Sequence, residues 1–173
     1  MAMEFKVSGN PASPLLVCVP KLLGSPDDFV SLISEWQHHF CVILLDPNSE
    51  RRNTGGLSKL TQESLHQLDY NFAAQEILEI IDQNFPGRNT FFVGISLGGK
   101  IVYDFATKFP GRFLGALISD VGPGLFEDSQ LYKAVDDIVA NTNLNQAWPD
   151  LKAEITRRTP DKNFRILIQT QIY

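Results

Sequence analysis

Apolar and polar positions follow two rhythms along this chain. Short, largely apolar runs occur at Leu15–Val19, Cys41–Leu45, Phe91–Ile95 and Leu114–Ser119. They read as strands, and continuous apolarity is what burial on both faces requires. Between them the spacing turns helical. Phe29, Leu32, Ile33 and Trp36 fall at i, i+3, i+4 and i+7, one apolar helix face. Asp69 to Phe85 reads as a second helix with Phe72, Ile77, Ile80 and Ile81 inward. Leu97 to Phe109 reads as a third, with Leu97, Ile101, Val102, Phe105 and Phe109 on its core side. The first helix has a clear start in Ser25-Pro26-Asp27-Asp28. Ser25 can cap, Pro26 suits the first helical position, and Asp28 can return the capping bond. Asp46-Pro47, Pro86-Gly87 and Pro110-Gly111 are stops.

The resulting βαβαβαβ order predicts an α/β protein with a three-layer, mainly parallel sheet and right-handed crossovers. A polar stretch from Asn48 to about Gln67 interrupts it as a loop. The character changes after Gly124. Leu131, Val135, Ile138 and Val139 suggest one amphipathic helix, Trp148, Leu151 and Ile155 a shorter one, and Phe164 to Ile168 a final extended piece. The division expected is a core over 1–124 and a polar, mostly helical segment over 125–173.

Composition narrows the class. The chain has 173 residues, 43% apolar and 20% charged, with a net charge of −5. That is a globular balance, and no basic stripe points to nucleic acid as a partner. No run approaches the roughly 18 apolar residues of a membrane span. Met1 to Gly9 lacks the apolar centre of a signal peptide, so a cytoplasmic location is the expectation. Cys18 and Cys41 both fall within strand-like runs and read as buried free thiols. No Cys/His spacing suggests a metal, and no cofactor is implied.

One motif carries chemistry. Gly94-Ile95-Ser96-Leu97-Gly98 is a G-x-S-x-G pentapeptide between an apolar strand and an amphipathic helix. The chain must turn sharply there, so that the Ser96 Oγ stands clear of the sheet edge in a strained backbone conformation. Gly94 and Gly98 leave room where a Cβ would strike neighbouring backbone, and Gly99 adds clearance. The helix start supplies unpaired N–H groups and partial positive charge for an oxyanion. The plainer reading is a glycine-rich turn with an incidental serine. Glycines on both sides of a serine at a strand-to-helix junction weigh against it.

With these residues in place, the chain resembles the α/β-hydrolase superfamily, in order and over its whole length. Ile95-Ser96-Leu97-Gly98-Gly99 resembles the family's nucleophile elbow. Leu22-Leu23-Gly24-Ser25 followed by Phe29 resembles the loop after its third strand, usually H-G-x-x-G-S. Ser119-Asp120-Val121-Gly122-Pro123 resembles a stretch after the next strand in many bacterial members. The resemblance implies Ser96 as the nucleophile, the backbone N–H groups of Leu22 and Leu97 as oxyanion donors, and a cap from Leu125 onward that sets substrate choice. It implies a small ester- or thioester-type substrate and neither metal nor cofactor. The small strand complement before Leu15 resembles that of the compact members, including the menaquinone-pathway lyase and small esterases.

The chain also departs from the pattern. Pro20-Lys21 stands where the family has His-Gly, and Pro47-Asn48-Ser49-Glu50 where it often has P-G-H-G-x-S. The family order is Ser, then Asp or Glu, then His, yet His38, His39 and His66 all precede Ser96. Asp120 could be an acid or only shape its turn. The expectation is a hydrolase-type sheet truncated after the nucleophile half. Three readings remain open: part of a serine hydrolase, a catalytically inactive binding module, and a lyase on the same fold. A sheet ending at Ser119 would leave an open edge. Self-association, or a second chain completing that edge, is therefore expected.

Overall fold

The computed structural model describes residues 3–21, 24–47, 70–122 and 148–158. Its strands are β1 (Glu4–Ser8), β2 (Leu15–Val19), β3 (Cys41–Asp46), β4 (Thr90–Ile95) and β5 (Phe113–Ser119). Its α-helices are α1 (Val30–Trp36), α2 (Tyr70–Asn84), α3 (Leu97–Lys108) and α4 (Trp148–Arg158). Short 3-10 turns at Pro26–Phe29 and Pro110–Arg112 lead into α1 and β5.

The described strands form one sheet in the order β1-β3-β2-β4-β5. β2 is parallel to both β3 and β4, and β4 is parallel to β5, while β1 runs antiparallel along β3. Strand alternation sends side chains to two faces. On one face Leu15, Val17, Val19, Ile43, Leu45 and Phe92 pack under Ile77, Ile81, Ile101 and Phe105 of α2 and α3. On the other, Leu16, Cys18, Val42, Leu44 and Val93 pack under Phe29, with Ile33 and Trp36 of α1 alongside. This is the three-layer arrangement expected.

That topology creates a crevice. β2 and β4 are neighbours, but β2 leads to α1 on one face and β4 to α3 on the other. Connections departing to opposite faces open a cleft at the carboxyl ends of the strands. The turns after β2, β4 and β5 all lie along that same edge, because these strands run in one direction.

The structure changes several details. The sequence puts the first strand at Leu15, yet Glu4–Ser8 is a strand paired with β3. Its signal is short: Phe5 and Val7, two residues apart, alternate with Glu4 and Lys6. Leu32, read as inward, is exposed, and Phe29, Ile33 and Trp36 alone carry the contact of this helix. Ser25 does cap, accepting from the Asp27 N–H at 3.2 Å. Asp28 instead faces Lys21, with Nζ 3.4 Å from Oδ1. Phe91, read as buried, is exposed on β4. The helix read from Trp148, Leu151 and Ile155 is α4. The loop over Asn48–Gln67, the helix around Leu131–Val139 and the piece at Phe164–Ile168 lie outside the described residues.

The chain divides into two compact units, residues 1–50 with 69–123 and residues 51–68 with 124–173. In the second, Glu154 of α4 accepts from both Arg157 and Arg158, at 2.6 Å each, which holds its carboxyl down to about 2.

Candidate active site

The site is built around the junction of β4 and α3. Ser96 sits between them with φ 50° and ψ −115°, outside the regions an L-residue ordinarily occupies. Two backbone bonds hold it there. The Ser96 N–H donates to Ser119 O at the end of β5, at 2.8 Å, and Ser96 O accepts from the Gly99 N–H at 2.9 Å. The neighbouring strand thus fixes one side of the residue and the first turn of α3 fixes the other.

The two motif glycines are required by close approach. A Cβ on Gly94 would lie 2.7 Å from Gly99 Cα and 2.8 Å from Gly98 O, inside the turn itself. A Cβ on Gly98 would strike Val19 O and lie 2.6 Å from Pro20 O, at the end of β2. The start of α3 therefore rests directly against the carbonyls where the loop after β2 begins.

Leu97 opens α3 and is buried. As the first helical residue its N–H has no intrahelical acceptor, and it follows Ser96 directly. Leu22, the other residue matched to an oxyanion donor, lies outside the described residues. Its flanks, Lys21 and Gly24, are described, and the Gly24 N–H donates to Lys21 O at 2.9 Å.

Asp120 follows β5 directly, one residue beyond the carbonyl that binds Ser96, at φ 64°. Asp tolerates this left-handed conformation better than most residues. Lys100 of α3 donates to Gly122 O at 2.5 Å, tying the same turn to the helix that follows Ser96.

The histidines are elsewhere. His38 and His39 lie in the turn before β3, at the amino end of the parallel strands. Ser96 lies at their carboxyl end. A strand of this length, at about 3.3 Å per residue, separates the two edges by roughly 20 Å. His39 instead faces Glu35, with Nε2 3.8 Å from Oε1. His66 lies outside the described residues. Cys18 and Cys41 are free and buried, as read from the sequence. Burial pushes the Cys18 thiol up to about 12, which leaves it neutral and unreactive. Among the described residues no group of His, Cys, Asp and Glu is arranged to hold a metal ion. No described helix is long and apolar enough to cross a membrane.

No protein-family model and no curated protein sequence matches the chain. Solved structures do. A marine microorganism esterase superposes with a TM-score of 0.71 at 18% identity, over 98% of this chain and 63% of that one. Naproxen esterase from Bacillus subtilis gives 0.58 at 20% identity, over 98% and 56%. The epoxide hydrolase CorEH gives 0.56 at 18% identity, over 90% and 52%. These likenesses, with the sheet order and the elbow, establish the α/β-hydrolase fold. The chain spans less than two thirds of the length of each of these structures.

Proposed function

We propose that the chain carries the nucleophile half of a serine hydrolase acting on a small ester or thioester. The observation that carries this reading is Ser96 itself. It is held at positive φ between a strand and a helix, with glycines wherever a Cβ would prevent the turn. Backbone strain of this kind persists where the surroundings over-determine it, and it clusters at functional sites. Ser96 Oγ would attack the substrate carbonyl, and the N–H groups of Leu97 and Leu22 would receive the developing oxyanion. The alcohol or thiol would leave, and water would release the acyl group from Ser96. The esterases among the structural neighbours support the reaction class.

A base must take the serine proton. Loss of that base costs on the order of a million-fold in turnover in a serine hydrolase. His38 and His39 are at the wrong edge of the sheet and His66 lies outside the described residues, so on this reading we propose that further polypeptide supplies the histidine. On this reading Asp120, directly after the strand whose end binds the Ser96 N–H, would be the acid that orients such a histidine. The same outside polypeptide, or a second copy, would pair with the outer edge of β5, which ends the described sheet.

The test is hydrolysis of short p-nitrophenyl esters by the protein as its native host makes it. Turnover that falls by about 10⁴-fold or more in Ser96→Ala supports the reading, and turnover unchanged by that substitution ends it. The placement of His38 and His39 favours a second reading, an inactive binding module on the same fold. Denatured intact mass separates the two. A mass above 19.4 kDa, or a co-purifying chain bearing a histidine, fits the hydrolase, and 19.4 kDa with no partner fits the module.

A further inference from the structure

We propose that Lys100 is a positioning residue that latches the turn after β5 against Ser96, an inference that rests on the hydrolase reading above. Ser96 and Asp120 are the two non-glycine residues at positive φ among those described, at 50° and 64°. They belong to one assembly. The Ser96 N–H donates to Ser119 O at 2.8 Å, so the residue before Asp120 holds the backbone of Ser96. Backbone strain at both residues persists only where the surroundings over-determine it.

What holds the turn lies on α3. Gly99 is buried, and a Cβ there would lie 2.5 Å from Val121 Cγ1 and 2.7 Å from Ile118 Cγ2. The side chains flanking Ser119 and Asp120 thus close over the first turn of the helix. One residue further along, Lys100 Nζ donates to Gly122 O at 2.5 Å. The segment from Ser119 to Gly122 is therefore tied at its start by Ser96 and at its finish by Lys100, with Val121 packed between. Ser96 belongs to the same helical turn, because its carbonyl accepts from the Gly99 N–H at 2.9 Å. These links form a ring that runs from Ser96 to Ser119, along the turn to Gly122, across to Lys100 and back down the helix. Lys100 is the link made by a long side chain. Its bond is exposed, so water competes for it and it contributes little to global stability. It acts on geometry instead. Among the described residues β5 pairs only with β4, so no second strand steadies this turn. Without the latch, Ser119 O is freer to leave the Ser96 N–H. Displacing a reacting group by about 1 Å can cost on the order of 100-fold in rate.

The experiment compares the protein as its native host makes it with Lys100→Met and Lys100→Arg. Two quantities are read: the second-order rate at which a fluorophosphonate labels Ser96, and the hydrogen-exchange rate of the Ser96 amide. Thermal unfolding midpoints are recorded alongside. The latch predicts that Lys100→Met labels at least about 10-fold more slowly and that its Ser96 amide exchanges about 10-fold faster through local opening. Its midpoint falls by a few degrees at most. Lys100→Arg, which keeps a cationic donor on a long stem, recovers most of both rates. Lys100→Ala carries the test if Lys100→Met does not fold. Wild-type labelling or wild-type exchange in Lys100→Met, or a loss that Lys100→Arg does not recover, would overturn the latch while leaving the hydrolase reading intact. A wild-type protein that takes no label at Ser96 overturns both.

Discussion

β2 and β5 are both apolar parallel strands whose carboxyl ends feed the same site, yet they live in different surroundings. β2 lies between β3 and β4 with helices above and below, and all its residues are buried. β5 pairs only with β4 among the described residues, and Leu114 and Leu117 are 51% and 63% exposed. The sequence LLVCV and the sequence FLGALIS look alike in hydropathy. The difference teaches that apolarity records what a strand needs to be covered by, not whether the covering is present. β2 anchors one side of the crevice in a finished core. β5 anchors the Ser119–Asp120 side at the edge of the described sheet.

The sharpest way to break this comparison is to delete the same side chain from both strands. Leu15→Ala in β2 should destabilise the fold by about 2–5 kcal/mol, the usual cost of a leucine cavity in a packed core. Leu117→Ala in β5 should stay within about 0.5 kcal/mol, as surface changes do. Urea unfolding at neutral pH measures both, and equal losses would mean that β5 is covered in solution.

A smaller effect comes from glycines beside each strand. Gly98→Ala pushes a methyl into the carbonyls of Val19 and Pro20, so overpacking should cost about 1–3 kcal/mol and slow any chemistry at Ser96. Gly111→Ala, just before β5, meets nothing within 4 Å and has no positive φ, so its unfolding midpoint should hold or rise slightly.

The smallest effect is one of pH. Cys18 in β2 has its thiol raised from 9.0 to about 12 by burial, and β5 holds no titratable side chain. A raised folded-state value favours the neutral thiol in the native protein. The contribution is whole below pH 9 and is lost as pH rises toward 12. Cys18→Ala should flatten the fall in stability between pH 9 and 11, measured by urea unfolding across that range. An unchanged slope would show that the thiolate costs β2 nothing.

Much of this was readable from residues alone. β2 and β3 announced themselves because both faces are buried, which forces continuous apolar runs. The elbow was legible because glycine, serine and glycine at a strand-to-helix junction answer steric demands at specific atoms. What stayed hidden depends on partners distant in sequence. β1 is short and its alternation rests on Phe5 and Val7 alone, and its place beside β3 comes from the sheet. Asp28 reads as a capping residue because local pattern cannot show Lys21 folding back across Gly24. Leu32 fits the helical period but lies beyond the reach of the sheet.

The account's central claim is that Ser96 is a nucleophile. Peptide mass mapping of the native protein after reaction with a fluorophosphonate tests it most directly. The account predicts one adduct per chain, located on Ser96 and absent in Ser96→Ala. Label found on another residue, or none at all on a folded protein, would contradict it.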